Sequence, residues 1–291
     1  MRVQEFLKSS EQRLAAAGIA TARLDCLVLL EDATGKDRSW LIAHPEYLLQ
    51  GPALNILNAQ VQRREKHEPL AYVRGKSEFY GREFKVSKDT LEPRPETETM
   101  IDLLKELIHK SQKPSLLKDR PLTDGGNVNW HIVDVGSGSG CLGITAKLEL
   151  PGATVLATDI SSSCIKIAKQ NAKTLGADVN FYQGDLLQPL PSTVYRLPTT
   201  LLANLPYVPD SHTINQAAMF EPKIAIFGGE DGLDLYRQLF RQIAKISQKP
   251  AYIFTESLPF QHEALAQIAK NVGYKQILAE DFILCFQNSG S

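Results

Sequence analysis

The residues best suited to chemistry sit where strands end. Asp134-Val135-Gly136-Ser137-Gly138-Ser139-Gly140 joins a strand to a helix. Glycines let the backbone approach a ligand closely, and a helix N-terminus offers free N–H groups. Asp159 ends the next strand, where a carboxylate can accept both hydroxyls of a ribose. Gly138, Gly140 and Gly143 also satisfy G-x-G-x-x-G, the dinucleotide fingerprint. Asp185, in Gln183-Gly184-Asp185-Leu186, follows a third strand; alone, it is an ordinary turn. Asn204-Leu205-Pro206-Tyr207 follows a fourth, and strand carboxyl ends line the crevice of such sheets. An amide or adenine amino nitrogen has a delocalised lone pair and is a poor nucleophile. Acceptors that hold its two N–H groups can aim that lone pair at an electrophile. Asn204 offers a side-chain carbonyl, residue 205 a backbone carbonyl, and Tyr207 a ring to stack on the planar group. The gain would come from proximity and alignment, with no obligatory base.

These loops need a scaffold. From residue 131 the chain alternates strands with helices, which implies a mainly parallel, doubly wound sheet. Strands are expected at 131–135, 154–158, 179–182, 200–203, 251–255, 275–279 and 282–287. The last two are too close for a crossover helix and should pair antiparallel. Ser161-Ser162-Ser163 caps a helix with Ile165, Ala168, Ala172 and Leu175 on one face. Asp231-Gly232 opens another, bearing Leu235, Leu239, Ile243 and Ile246. Glu96-Thr97-Glu98 starts a helix with Met100, Ile101, Leu104 and Ile108 on its apolar face. Ahead of it, residues 77–86 place aromatics around a glycine turn, a hairpin signal. Residues 111–130 read as a polar, mobile loop or insertion.

The first 75 residues read as helices. Val3, Phe6, Leu7 and Leu14 share one face. Thr21 can cap a second helix carrying Leu24, Leu27, Val28 and Leu30, and Leu54, Leu57 and Val61 follow Pro52 in a third. Arg63, Arg64, Lys66, Arg74 and Lys76 form a basic stretch. A solvated face is its default reading, and docking of an acidic partner the sharper one.

The chain has 291 residues, with 32 Lys+Arg against 33 Asp+Glu, a net charge of -1. That balance argues against a protein built to neutralise many phosphates of a duplex. Cys26, Cys141, Cys164 and Cys285 are scattered, which suggests reduced thiols and neither a metal site nor a disulfide framework. There is no apolar run long enough to span a membrane, and a cytoplasmic location is expected.

Asp-x-Gly-x-Gly-x-Gly resembles the first motif of S-adenosylmethionine methyltransferases, which need no pyrophosphate cradle; the loop alone leaves nicotinamide and S-adenosylmethionine open. Asn204-Leu205-Pro206-Tyr207 resembles the Asn-Pro-Pro-Tyr motif of methyltransferases that act on planar amide or amine nitrogens. Leu205 replaces the first proline, keeping the carbonyl but adding an N–H and loosening φ; Leu205→Pro is therefore expected to preserve or raise activity. The tetrapeptide also resembles that of ribosomal RNA adenine dimethyltransferases. Leu91-Glu92-Pro93-Arg94-Pro95-Glu96-Thr97-Glu98 resembles the Pro-Arg-Pro-Glu-Thr-Glu signature of the release-factor glutamine methyltransferases, the PrmC/HemK family. His67-Glu68-Pro69-Leu70-Ala71-Tyr72, Phe220-Glu221-Pro222 and Gly228-Gly229-Glu230-Asp231-Gly232-Leu233-Asp234 resemble further segments of that family.

The resemblance implies a Rossmann-like α/β methyltransferase with a seven-stranded mixed sheet, preceded by a small all-α domain. The expected division is a substrate-docking domain at 1–75, a hairpin linker at 76–90 and the methyltransferase domain at 91–291. It implies S-adenosylmethionine bound by Gly136, Ser137, Gly138, Ser139, Gly140, Asp159, Asp185, Leu186 and Asn204. Substrate binding and catalysis would fall to Asn204, Leu205, Pro206 and Tyr207, with Glu96 and Glu98 beside the cofactor or merely solvated. Leu186 is smaller than the aromatic the family often has there, and Glu92 stands where it usually has an aliphatic residue. The implied substrate is the glutamine of the Gly-Gly-Gln loop of peptide chain release factors, in translation termination. A monomer is expected, with no metal, no membrane and no direct need for nucleic acid. The alternatives are an RNA or DNA adenine N6-methyltransferase, or a cofactor-binding homologue weakened by Leu205.

Overall fold

The computed structural model describes residues 1–111 and 130–290, so nearly all of the loop read at 111–130 lies outside the described residues. The chain divides into two compact units, Met1–Lys76 with Ile214–Phe220, and Ser77–Thr213 with Glu221–Ser291.

The first unit is helical: α1 (Val3–Ala16), α2 (Ala22–Thr34), α3 (Arg38–Ala43), α4 (Gly51–Glu65) and α5 (Leu70–Arg74). Val3, Phe6, Leu7 and Leu14 are buried as their spacing requires. In α2 the buried set is not the one expected. Leu24 is 45% exposed and Val28 half-buried, while Cys26, Leu27, Leu29 and Leu30 face the core. The reason is that α2 packs against α1, α3 and α4, so it has no single apolar stripe. Thr21 makes no side-chain cap. The short α3 escaped the periodicity reading because one turn and a half carries little pattern; Asp37 caps it by accepting the Trp40 N–H at 2.8 Å.

The basic stretch is largely paired within this unit. Arg64 donates to the buried Asp25 at 2.7 Å, and Arg74 and Lys76 share Asp32 at 2.6 and 3.0 Å. Arg63 bonds to Glu68 and to the carbonyls of Tyr72 and Val73, tying α4 to α5. These cations staple helices together, which is neither of the two readings the sequence offered.

The second unit begins with a hairpin, β1 (Lys76–Phe79) and β2 (Arg82–Lys85), turning at Tyr80-Gly81. Phe79 and Phe84 are fully buried and meet edge to face at 6.2 Å. A 3-10 turn at Pro95–Thr97 leads into α6 (Glu98–Ser111), which buries Met100, Ile101, Leu104 and Ile108 as expected. There follow β3 (His131–Val135), α7 (Cys141–Glu149), β4 (Thr154–Asp159), α8 (Ser162–Leu175), β5 (Val179–Gln183) and β6 (Thr199–Ala203). After them come α9 (Lys223–Ile226), α10 (Asp234–Ile243), β7 (Tyr252–Glu256), α11 (His262–Lys270), β8 (Tyr274–Glu280) and β9 (Ile283–Asn288). The Ser161 side chain caps α8 at the Cys164 N–H. Helix α10 buries Tyr236, Leu239, Phe240 and Ile243; Ile246, expected on its face, lies beyond its end. Helix α11 went unread because it buries only Leu265 and Ala269, too few positions to show a period.

The seven strands lie in the order β5-β4-β3-β6-β7-β9-β8. The first five are parallel, and β9 runs antiparallel to both β7 and β8, as the short last connection demanded. The central strands are apolar on both faces: Ile132 and Leu202 belong to one core, Val133, Leu201 and Ala203 to the other. The chain runs outward from β3 to β5, then returns to lay β6 beside β3. That return is a topological switch point, where the loops after neighbouring strands diverge and leave a crevice. Val135 and Ala203 are register partners, so the loops that follow them leave the sheet side by side.

Candidate active site

The crevice is a cavity of about 390 Å³. The loop Gly136–Gly140, Asp159, Asp185, Leu186, Asn204, Leu205 and Pro206 contribute to it, brought together from the ends of β3 to β6. Gly140 belongs to the loop but does not itself line the cavity, and Tyr207 does not either.

The glycine loop is held from beneath. The N–H groups of Gly136 and Ser137 both donate to the Thr158 carbonyl at 2.9 Å. Gly136 has φ +76, and a Cβ there would stand 2.9 Å from Leu205 Cδ2. The position calls for glycine on conformation, and a Cβ would also press on the Leu205 side chain. It also shows what the Leu205 side chain does: it packs onto this glycine, 2% exposed.

Asp159 accepts the Gly138 N–H on Oδ2 and the Ser161 N–H on Oδ1, each at 2.8 Å. Burial pushes this carboxyl up, against the pull of the two N–H groups and of the Cys164 thiol. Asp134 accepts the Gly143 N–H at 2.9 Å on Oδ2, while its Oδ1 and the Ser137 hydroxyl are buried with no partner among the described residues. Complete burial pushes the Asp134 carboxyl up to about 7, opposed by the Gly143 N–H. Unmet buried acceptors beside a cavity are costly unless a ligand donates to them, so this wall suits a cation with N–H groups. Cys141 and Cys164 also line the cavity; burial pushes their thiols up, to about 12 and about 11, so both stay protonated.

Asp185 is committed on one oxygen. Its Oδ2 accepts from the amides of Gln238, Gln188 and Gln242 at 2.6, 2.9 and 3.3 Å. Leu186, φ +50 and 8% exposed, holds a backbone conformation that favours glycine, beside the cavity.

Asn204 donates its Nδ2 to Thr97 Oγ1 at 3.0 Å, and Thr97 donates to Glu256 Oε2 at 2.6 Å. Tyr207 donates to Glu256 Oε1 at 2.9 Å. No described residue donates to Asn204 Oδ1 or to the Leu205 carbonyl, so two acceptors remain at the cavity wall. The Leu205 N–H donates to Tyr236 Oη at 3.3 Å, and that hydroxyl also lies against the carbonyls of Ala203 and Glu256. Burial pushes the Glu256 carboxyl up, while the hydroxyls of Thr97 and Tyr207 and the Asn204 amide hold it down.

Neither of the two acids flagged near the cofactor lines the cavity. Glu96 is exposed, and Glu98 accepts the Tyr80 N–H at 2.7 Å in the hairpin turn. Thr97, between them, is the cavity residue. Thr97, Glu256 and Tyr236 carry the polar contacts of this corner, and the sequence reading named none of them as site residues. Thr97 lay inside a quoted segment, and Glu256 is an acid at a strand carboxyl end, so a signal existed for both. Among the described residues no cluster of His, Cys, Asp and Glu could hold a metal ion, and no helix is long and apolar enough to cross a membrane.

Residues 5–75 match the PrmC N-terminal domain, and residues 127–272 match a methyltransferase domain. The hMettl16 catalytic domain, solved with an RNA hairpin, shares the fold at 13% identity and a TM-score of 0.51 over 83% of each chain. A bifunctional methyltransferase of Rickettsia bellii is 33% identical over 94% of this chain, which spans about half (51%) of that protein. The release factor glutamine methyltransferase of Koribacter versatilis is 34% identical over 84% of this chain and 81% of its own length. That of Coxiella burnetii is 32% identical over 95% of this chain and 93% of its own length. Agreement at that level along both domains is more than a shared fold requires, and the chain belongs to the release factor glutamine methyltransferase family.

Proposed function

We propose that this protein methylates the side-chain amide nitrogen of the glutamine in the Gly-Gly-Gln loop of a peptide chain release factor. The observation that carries the reading is the pair of free acceptors, Asn204 Oδ1 and the Leu205 carbonyl, beside the glycine cradle. A primary amide has two N–H groups, and two fixed acceptors hold both. The lone pair then points along one direction, and attack gains from orientation. S-adenosylmethionine is the cofactor, and when bound it supplies an electrophilic methyl group. The chain's residues fit it: Asp134 Oδ1 and the Ser137 hydroxyl lack partners among the described residues, Asp159 lines the cavity at a strand carboxyl end, and Asp185 keeps its Oδ1. Gly136 to Gly140, Asp159, Asp185, Leu186 and Asn204 would hold it. Stacking of the amide on Tyr207 belongs to the same proposal, as do a docking role for residues 1–75, a cytoplasmic setting and a monomeric enzyme.

Co-expression with a release factor and mass spectrometry of that factor tests this. One added methyl on the loop glutamine is expected. Asn-Leu-Pro-Tyr favours a second reading, adenine methylation in RNA; labelled cofactor transferring its methyl to ribosomal RNA and not to release factor would establish that instead.

A further inference from the structure

We propose that Glu256 is a positioning residue that sets which end of the Asn204 amide faces the substrate, acting through Thr97. The proposal rests on Asn204 Oδ1 being the acceptor for the reacting amide. The two ends of an asparagine amide are nearly the same size and shape, so packing cannot choose between them. Only hydrogen-bond polarity can. If the amide turned over, its NH₂ would face the substrate's own N–H groups, donor against donor.

The structure contains a chain of bonds that fixes that polarity. Glu256 ends β7 and is 1% exposed. The Thr97 and Tyr207 hydroxyls and the Asn204 amide favour its ionised form against the push of burial, and in that form the carboxylate can only accept. It receives the Tyr207 hydroxyl on Oε1 at 2.9 Å and the Thr97 hydroxyl on Oε2 at 2.6 Å. Thr97 is 2% exposed and has a single proton, which Glu256 occupies. Toward Asn204 it can then only accept, and it does so from Nδ2 at 3.0 Å, while Glu256 itself also holds the Asn204 NH₂. Each group has one permitted role, and the end of the sequence is Oδ1 at the cavity. Tyr207 terminates the other arm, so one carboxylate orders two residues of the Asn-Leu-Pro-Tyr loop.

Glu256→Gln keeps the shape and releases the polarity. Its amide NH₂ can donate to Thr97, freeing the Thr97 hydroxyl to donate to Asn204 Oδ1 and stabilise the inverted amide. The remaining oxygen still accepts from Tyr207. The expected result is kcat lower by about 100-fold, the size of effect that misorientation produces. Affinity for S-adenosylmethionine by calorimetry should fall far less than kcat, since of the residues that would hold it only Asn204 is disturbed. A kcat within about fivefold of the parent would overturn the proposal. Should Glu256→Gln not fold, the Thr97 pair decides. Thr97→Val removes the hydroxyl at constant shape and should lower kcat by at least about tenfold, and Thr97→Ser should restore it. Equal rates in the Val and Ser variants would overturn the proposal. Asn204→Ala separates the two claims. An inactive Asn204→Ala beside an active Glu256→Gln removes only the positioning role. An active Asn204→Ala removes the underlying reading as well.

Discussion

Leu205 does two things that a proline in its place could not. Its N–H donates to Tyr236 Oη, and its side chain fills the space above Gly136. Losing the bond and the buried leucine contacts should cost about 2 kcal/mol or more. Leu205→Pro is therefore expected to lower the urea midpoint and reduce turnover, the reverse of what the tetrapeptide alone suggests. Equilibrium unfolding with matched kinetics checks this. Asp134 makes a second residue-scale prediction. Its carboxyl titrates at about 7 in the folded protein and near 3.9 in an unfolded chain. Between those values the native state binds more protons than the unfolded state, so stability falls as pH rises from about 4 to about 7 and levels off above. Asp134→Asn keeps an acceptor for the Gly143 N–H and should flatten that slope. Urea unfolding of both proteins at pH 5 and pH 7.5 reads it.

At the scale of elements, the segment Gly228–Asp234 finds its purpose in packing. Gly228 lies so close to the carbonyls of Pro206 and Gly232 that a Cβ would collide with both. Gly232 has φ +80, and a Cβ there would strike the Tyr207 carbonyl and the Gln261 amide. Gln261 bridges the two loops, donating to the carbonyls of Tyr207 at 2.8 Å and Asp231 at 2.7 Å. The glycine turn is thus the backing plate of the Asn-Leu-Pro-Tyr loop. Gly232→Ala combines a strained backbone with a clash and should cost about 2 kcal/mol or more. Displacing Tyr207 with it should reduce turnover by at least about tenfold, with cofactor affinity little changed. Thermal unfolding, calorimetry and initial rates test those three statements. The sequence displayed these glycines but gave no reason for them, because the reason is a contact between loops some 25 residues apart.

For the whole molecule, the useful fact is that each unit has its own core. Leu30 belongs to the helical core, while the sheet carries separate apolar clusters on its two faces. Leu30→Ala, at a fully buried position, should destabilise the helical unit by about 2–5 kcal/mol. Cofactor affinity should stay within about twofold, because every residue lining the cavity belongs to the other unit. Denaturation followed by far-UV signal and by cofactor binding would expose a difference; coincident shifts of both probes would count against independent cores. The net charge of -1 takes on more meaning at this scale. Much of the local basic stretch is consumed by Asp25, Asp32 and Glu68, so it does not present a free field to an acidic or nucleic surface.

The sequence alone determined the sheet, because strand length, glycine punctuation and apolar runs are local signals that survive without contacts. It also led to one crevice shared by the glycine loop, Asp159 and Asn204, since a parallel sheet must place its strand ends together. Tertiary structure decided what the local signals could not carry. Helix α2 buries a different face because helices pack against it on several sides. Helix α11 has too few apolar positions to announce itself. Glu96 and Glu98 are acids in the right segment that do not line the cavity, while the threonine between them does. The orientation of Asn204 depends on Glu256, more than 50 residues on, through a hydroxyl whose proton has only one place to go. A one-dimensional pattern can name a residue type at a strand end; only the folded arrangement can say which of its atoms is left free.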